Sequence, residues 1–226
     1  LAGLVVCLMF LGCDVQPVES KAFSQKSSKP DNQKSKVLVE LFTSEGCSSC
    51  PPADRALAFL QKEQPNSEAE IITLAFHVNY WDNLGWRDKF SSQKFTERQQ
   101  FYARIFNLSS IYTPQMEIDG SSEAVGSNLG KVQQKITEAL KSAKANLKIS
   151  ILENKVAVNI TEIPPHRNST VFMAIAENNL ISSVTAGENS GNNLEHISVV
   201  RELKVIGTLK KNDSTFEKIT DFSLSP

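Results

Sequence analysis

Two cysteines, Cys47 and Cys50, constrain this chain more than any other feature, because they lie between a predicted strand and a predicted helix. Residues 36–43 are apolar on both alternating faces, which is typical of an inner strand. From Ala53 onward, apolar residues recur at i, i+3, i+4 and i+7, which predicts an amphipathic helix. We therefore expect Cys47 to be an exposed thiol near a helix N-terminus, where free amides and the helix dipole favour a thiolate.

The N-terminal segment predicts export. Residues 1–12 are uncharged and apolar, too short to span a bilayer but similar in length to the apolar region of a signal peptide. They lead into the sequence Phe-Leu-Gly-Cys13, which resembles a bacterial lipobox, where cleavage precedes a cysteine that becomes lipidated. A plain secretory signal is the alternative. Residues 13–35 are polar and predict a flexible tether. We expect a periplasmic or membrane-anchored lipoprotein, attached to the membrane only through Cys13.

The positions of the other two cysteines indicate what the Cys47–Cys50 pair can do. Cleavage would remove Cys7 and lipidation would consume Cys13, which leaves Cys47 and Cys50 as the cysteines of the folded part. A disulfide that closes so small a ring gains little from loop entropy, so such a pair is more often reactive than structural. Half of a zinc site is the alternative. The histidines that could complete it are His77, His166 and His196.

The apolar patterns after the cysteines predict further elements in a definite order. These are a strand over 70–77, a helix within 86–106, strands over 116–119 and 123–125, and a helix capped by Ser127. The order βαβ, α, ββα over residues 36–145 is that of a thioredoxin-like domain. Thr113 and Pro114 precede the third strand, where thioredoxin-like proteins place a cis-proline that faces the cysteines. We therefore expect a cis Thr113–Pro114 bond.

Four segments of the chain together resemble a known family. They are LFTSEGCSSCPPAD, AFHVNYWDNLGW, YTPQMEIDG and GENSGNNLEHISVVREL. They resemble the bacterial secreted family catalogued as domain of unknown function 1223, over about residues 37–203. The resemblance implies a thioredoxin-like fold. In the wider thioredoxin superfamily the first cysteine attacks and the second resolves, roles that fall here on Cys47 and Cys50, with Thr113 and Pro114 facing the substrate. Two serines separate the cysteines, so the resemblance does not imply a redox direction.

A second constellation of polar and aromatic residues follows the second strand. It lies where open α/β sheets border their ligand crevice and consists of His77, Trp81, Asp82 and Trp86. One interpretation is a substrate-facing groove with aromatic walls, in which His77 or Asp82 assists proton transfer to Cys50. The other is structural: the tryptophans anchor a long loop and His77 is hydrogen-bonded. For a single residue the pattern slightly favours the structural interpretation.

In the C-terminal part, residues 146–226, the apolar pattern predicts strands and no helix. The predicted strands cover 147–151, 156–160, 170–176, 197–207 and 215–222. We expect them to form an antiparallel β-sandwich-like domain packed on the first domain. Residues 187–193 are a polar loop that, with His196 and Arg201, could face the cysteines, but this composition favours a solvent-exposed loop.

The charge balance and the cysteine pair limit the classes of function that the sequence supports. The chain of 226 residues has 24 basic and 25 acidic side chains, a net charge of −1, which gives no indication of a nucleic-acid partner. The leading hypothesis is a thiol–disulfide oxidoreductase that acts on protein thiols or disulfides, or on a redox partner, without cofactor or metal. One alternative is a Cu(I)-binding or metallochaperone domain that uses Cys47, Cys50 and His77. Another is a non-catalytic binding module with a static disulfide.

Overall fold

The computed structural model describes residues 34–222. The predicted export segment, most of the tether and Cys13 lie outside the described residues, so what was predicted for them stays a prediction. The elements are β1 Ser35–Thr43, α1 Pro51–Glu63, β2 Ala69–His77, α2 Gln93–Ile105, β3 Gln115–Ile118, β4 Ser122–Val125, α3 Leu129–Ala139, β5 Asn146–Leu152, β6 Lys155–Thr161, β7 Ser169–Glu177, β8 Leu180–Ser183, β9 Asn193–His196, β10 Val199–Leu209 and β11 Phe216–Asp221.

A mixed six-stranded sheet organises the chain, in the order β4-β3-β1-β2-β10-β7. β1 and β2 are parallel, with Ser35 opposite Ala69 and Thr43 opposite His77. The α1 crossover makes this direction possible, because parallel neighbours need a long connection. The carboxyl ends of β1 and β2 therefore meet at one edge of the sheet, directly before the cysteines.

Helices cover both faces of the sheet around β1. Val39 and Leu41 face a cluster that contains the apolar stripe of α1 and the inner side of α3. Leu38 and Phe42 face the opposite cluster, to which α2 contributes Tyr102 among others. β1 is thus buried on both sides, as its double apolar pattern predicts. The molecule is an α/β protein with a mixed central sheet.

The C-terminal strands differ from the sequence prediction. β10 pairs with β2 at Val199 and Ala75 and runs antiparallel to β7, so two of these strands extend the central sheet. The pairing with β2 is confined to this point, where the Ala75 backbone N–H donates to the Ser198 carbonyl oxygen at 2.8 Å. β5, β6 and β11 form a separate three-stranded sheet, and apolar side chains of β6 pack against β7 and β10. A β-sandwich-like domain is therefore not confirmed, and the boundary at residue 146 stays a prediction.

Two helices begin later than their apolar patterns suggest. α2 starts at Gln93, after Ser92, whose side chain accepts a hydrogen bond from a backbone N–H of the first turn. α3 is capped by Asn128 and not by Ser127. In both helices a side-chain oxygen satisfies an amide that has no partner within the helix, and this contact sets the start.

Three glutamates lie side by side across β1, β3 and β4. Glu40 is opposite Glu117, and Glu117 is opposite Glu123. Glu40 accepts hydrogen bonds from Arg98 at 3.0 and 2.9 Å, whereas both carboxylate oxygens of the buried Glu117 lack a partner within residues 34–222. Burial, together with Glu40 and Glu123, raises the pKa of Glu117 to about 9, and Arg98 and Lys135 offset only part of this rise. Glu117 is therefore a neutral acid near pH 7.

Glu117→Gln is predicted to stabilise the protein increasingly as the pH rises. The unfolded chain releases this proton near pH 4.3, the ordinary value, but the folded protein keeps it until about pH 9. Between these values each pH unit lowers the unfolding free energy of the native protein by up to about 1.4 kcal/mol, and glutamine has no such proton. Urea unfolding at pH 5, 7 and 9 measures the difference. The exposed Glu63→Gln is the control; a gain that is the same at every pH would contradict the prediction.

Candidate functional site

Cys47 and Cys50 are joined by a disulfide at the junction of β1 and α1. Cys50 is the N-cap residue of α1, and its carbonyl oxygen accepts hydrogen bonds from the backbone N–H groups of Ala53 at 2.8 Å and Asp54 at 3.1 Å. The pair thus lies where the sequence places it, at the positive end of a helix dipole. This position stabilises a thiolate once the bond is reduced.

The exposure of the pair differs from expectation. Both cysteines have 0% solvent exposure, while Ser48 and Ser49 between them are exposed. The prediction of an exposed Cys47 is therefore wrong for the oxidised protein. Two segments far away in the chain lie against the cysteine loop, and neither could be placed there from the local pattern around the cysteines.

The first of these segments contains Thr113, which connects Trp81 to the sulfur of Cys47 through two hydrogen bonds. Trp81 Nε1 donates to Thr113 Oγ1 at 2.8 Å, and the Thr113 hydroxyl donates to Cys47 Sγ at 3.4 Å. Ser49 Oγ lies 3.3 Å from the same sulfur. The Thr113–Pro114 bond is cis, which confirms the expectation. Two hydroxyl groups are thus in position to donate to a thiolate at Cys47, and hydrogen bonds to charged acceptors are the stronger kind.

The second segment is the tip of the hairpin that β8 and β9 form, residues 184–192, called the hairpin tip below. Glu188 Oε2 accepts a hydrogen bond at 3.0 Å from the backbone N–H of the residue after Cys47. Asn189 Nδ2 donates to the carbonyl oxygens of Glu45 at 2.8 Å and Cys47 at 3.0 Å. The prediction of a solvent-exposed loop is therefore wrong for Asn189, which is buried because two buried carbonyls need its donors.

A buried acid–base cluster adjoins the cysteine loop through Glu45. Asp88 Oδ2 lies 2.6 Å from His77 Nδ1 and accepts the backbone N–H of Glu45 at 2.9 Å. Glu45 Oε1 lies 3.2 Å from His196 Nε2, and Glu45 Oε2 accepts from Trp86 Nε1 at 2.7 Å. The two imidazole rings are 5.0 Å apart between centroids. The cluster links the loops after β1 and β2 to the hairpin.

The pKa values of the cluster follow from burial opposed by close partners. Burial lowers the pKa of His77, but the carboxylates of Asp88, Asp54 and Glu45 together outweigh it, so the pKa of His77 is raised. Burial raises the pKa of Asp88, but His77 and the backbone N–H groups of Glu45 and Phe90 together outweigh it, so that pKa is lowered. Burial and the Asp88 charge raise the pKa of Glu45, but hydrogen bonding to His196, Ser182 and Trp86 together outweighs them, so that pKa is lowered as well. His77 and Asp88 therefore form a buried pair in which each residue favours the charged form of the other, and His77 Nε2 has no partner within residues 34–222.

The predicted groove residues separate into two groups. Thr113 donates a hydrogen bond to the sulfur of Cys47, and Trp81 donates one to Thr113. His77 and Trp86 belong instead to the buried cluster. Asp82 does not reach the sulfur atoms, and it contacts the buried cluster only through the backbone: its carboxylate accepts from the Asp88 backbone N–H at 3.2 Å and from the Ser91 hydroxyl at 2.7 Å. It holds the loop in shape, which fits the structural interpretation.

Several residues of the site were not singled out from the sequence. Asp88 carries no motif, and Asn189 and Glu188 are two of many polar residues in their segment. His196 was considered together with Arg201, but Arg201 instead pairs with Glu177 at 2.6 Å on the surface. These polar residues follow no periodic pattern, so the sequence does not indicate which distant backbone groups their side chains contact.

The part of the chain that the structure describes contains neither a metal-binding cluster nor a membrane-spanning helix. Within residues 34–222 no three or more histidine, cysteine, aspartate or glutamate side chains are grouped so as to hold a metal ion. His166 lies apart from the cysteines, with its ring nitrogens near backbone carbonyl oxygens, 2.5 and 2.9 Å away. None of the helices in the same range combines the length and the apolar character needed to cross a membrane.

Comparison with solved structures supports the architecture. A crystal structure of a structural genomics target protein from Agrobacterium tumefaciens matches with a TM-score of 0.69 and 24% identity, covering 84% of this chain and 79% of that chain. HBP35 of Porphyromonas gingivalis matches with a TM-score of 0.52 and 19% identity, covering 84% of this chain and 65% of that chain. At these identities the likeness concerns the fold alone.

Comparison of the sequence identifies the family. No curated protein matches the sequence significantly. The model of a family described as a protein of unknown function, DUF1223, matches residues 38–223, nearly the whole of the described structure and the same region as the four resembling segments. The chain therefore belongs to the DUF1223 family.

Proposed function

We propose that this protein is a thiol–disulfide exchange protein with a thioredoxin-like fold, in which Cys47 attacks and Cys50 resolves. The observation that carries the proposal is the disulfide at the start of α1 with the Thr113 hydroxyl 3.4 Å from Cys47 Sγ. The element order β1, α1, β2, α2, β3, β4, α3 supports the fold. The cis Thr113–Pro114 bond beside the sulfur supports the site.

The reaction proceeds through a mixed disulfide. The Cys47 thiolate attacks one sulfur of a substrate disulfide, forms a bond to it and releases the other substrate sulfur as a thiolate. The Cys50 thiolate then attacks the Cys47 sulfur, which restores the Cys47–Cys50 bond and releases the second substrate thiolate. Two electrons pass from the protein to the substrate, and the released thiolates take up protons. The reverse sequence oxidises a substrate dithiol.

The surroundings of the two sulfur atoms differ, and this difference supports the proposed roles. Both nearby hydroxyl groups, those of Thr113 and Ser49, lie at the sulfur of Cys47. Within residues 34–222 no side-chain donor lies at the sulfur of Cys50. A thiolate is therefore stabilised more at Cys47, so this cysteine has the larger thiolate fraction near neutral pH and is the attacking one.

A second candidate function is a binding module with a static disulfide. The zero exposure of both cysteines favours it, because a substrate cannot reach a buried sulfur without movement. The two candidates differ in whether the disulfide is reduced and reformed at ordinary redox potentials.

We also propose where the protein acts and on what. A lipid on Cys13 would anchor the domain outside the cytoplasm, and the tether would let it reach protein thiols or disulfides near the membrane. The support is the pattern of residues 1–12 and 13–35, which precede the folded part. This location suits the chemistry, because disulfides persist in oxidising compartments.

Single cysteine variants test the assignment of roles. Cys50→Ser is predicted to accumulate a mixed disulfide through Cys47, because the resolving sulfur is missing. Cys47→Ser, the matched control, is predicted to form little, because its remaining thiol lacks both hydroxyl partners. Each reduced variant is incubated with oxidised glutathione and with a disulfide-bonded test protein, and adducts are mapped by mass spectrometry. Stronger trapping by Cys47→Ser would reverse the roles, and no adduct in either variant would contradict exchange.

Thr113→Val tests the hydrogen bond to sulfur. In the Cys50→Ser background the change is predicted to raise the pKa of the Cys47 thiol by about 1–2 units, since a hydrogen bond to a charged group contributes about 1.5–3 kcal/mol. The pH dependence of iodoacetamide alkylation measures this pKa. Thr208→Val, an exposed position on β10, is the control. An unchanged profile would mean that the Thr113 hydroxyl does not stabilise the thiolate.

A further inference from the structure

The hairpin tip, residues 184–192, closes over the cysteine loop from outside. It is anchored at its base by the backbone hydrogen bond from Val184 N–H to the Asn192 carbonyl, 2.9 Å long. Gly187 has a φ of +73°, and a Cβ there would lie 3.0 Å from the Cβ of Trp86, so only glycine lets the tip sit this close. The tip is therefore built to approach the cysteine loop.

Asn189 is the side chain that joins the tip to the cysteine loop. Its amide is buried and donates to the carbonyl oxygens of Glu45 and Cys47, at 2.8 and 3.0 Å. If the tip moved away, the Glu45 carbonyl would lose this donor or turn to water, and the Cys47 carbonyl would keep only the hydrogen bond from the Cys50 backbone N–H at 3.1 Å. Asn189 thus contributes two of the hydrogen bonds that hold the closed position, and a modest motion can break and re-form them.

Glu188 contributes a charge at the same place. Its carboxylate is exposed and accepts the backbone N–H of Ser48, the residue that follows Cys47, at 3.0 Å. Hydrogen bonding to the side chain of Ser48, together with this bond from its backbone N–H, lowers the pKa of Glu188, so this side chain is ionised near neutral pH. A thiolate that approaches Cys47 from solvent meets this carboxylate, and the repulsion increases if the incoming molecule carries further negative charge.

We propose that the hairpin tip is a gate over the disulfide, in which Asn189 holds the gate closed and Glu188 selects against anionic thiols. This proposal rests on the proposed function and specifies the thiol class that the site admits: neutral or cationic thiols, including cysteines flanked by basic residues. It also accounts for the burial of both cysteines in a protein that exchanges disulfides.

The step under test is reduction of the Cys47–Cys50 bond by a small thiol. The incoming thiolate attacks Cys47 Sγ and forms a bond to it, and Cys50 leaves as a thiolate that takes a proton from water. A second thiolate attacks the sulfur of the first molecule, which releases Cys47 and yields the small-molecule disulfide. Two electrons pass from the thiols to the protein.

Glu188→Gln tests the charge selection. Reduction rates are measured for cysteamine, 2-mercaptoethanol and 2-mercaptoethanesulfonate at equal thiolate concentration and low salt. The native protein is expected to react fastest with the cationic cysteamine. Glu188→Gln is expected to lower the ratio of cysteamine to mercaptoethanesulfonate rates by at least about threefold, and high salt should shrink this effect. Glu202→Gln, an exposed glutamate on β10, is the control. An unchanged ratio in Glu188→Gln would overturn the selection.

Asn189→Ala and Gly187→Ala test the gate. Both loosen the tip, one by removing its hydrogen bonds and the other by crowding Trp86, so both are expected to speed reduction by all three thiols several-fold. Thermal unfolding of the oxidised variants shows that the fold is retained. Rates at or below the native rate in both variants would overturn the gate. Excess thiol reduces any accessible disulfide, so these rates test the gate even if the cysteine variants trap no mixed disulfide.

Discussion

The parallel pairing of β1 and β2 is the constraint on which the rest of the site depends. Its register places Thr43 opposite His77, so both strands end at the same edge of the sheet. The cysteine loop leaves from one strand end and the loop carrying Trp81 and Asp88 leaves from the other. The hydrogen bond from the Glu45 backbone to Asp88 joins the two loops within a buried space. The pairing of β1 and β2 therefore places the disulfide next to the buried acid–base cluster.

The return of the chain to this edge completes the site. β10 pairs next to β2, and the β8–β9 hairpin that precedes it delivers His196 to Glu45 and Asn189 to the cysteine loop. Buried charges are tolerated only when their partners are supplied, and removal of one partner leaves an uncompensated charge. The β8–β9 hairpin is thus part of the site, and the family match includes it.

Local pattern was enough to predict β1, α1, β2 and the position of the cysteines between them, because apolar periodicity reports burial along one element. The cis bond at Pro114 was expected from its place before the third strand. The contacts of Asn189 and His196 could not be predicted, since more than a hundred residues separate each from its partner and polar residues show no period. For the same reason the burial of Cys47 was missed: what covers this cysteine comes from distant segments.

The reduction potential of the Cys47–Cys50 pair tests the central claim most directly. The oxidised protein is equilibrated with glutathione and dithiothreitol redox buffers, and the thiol fraction is determined by alkylation and mass spectrometry. Exchange proteins have potentials between about −120 and −270 mV, and the account predicts a fully reversible transition in this range. A potential below about −300 mV, typical of structural disulfides, would contradict exchange and favour the static disulfide.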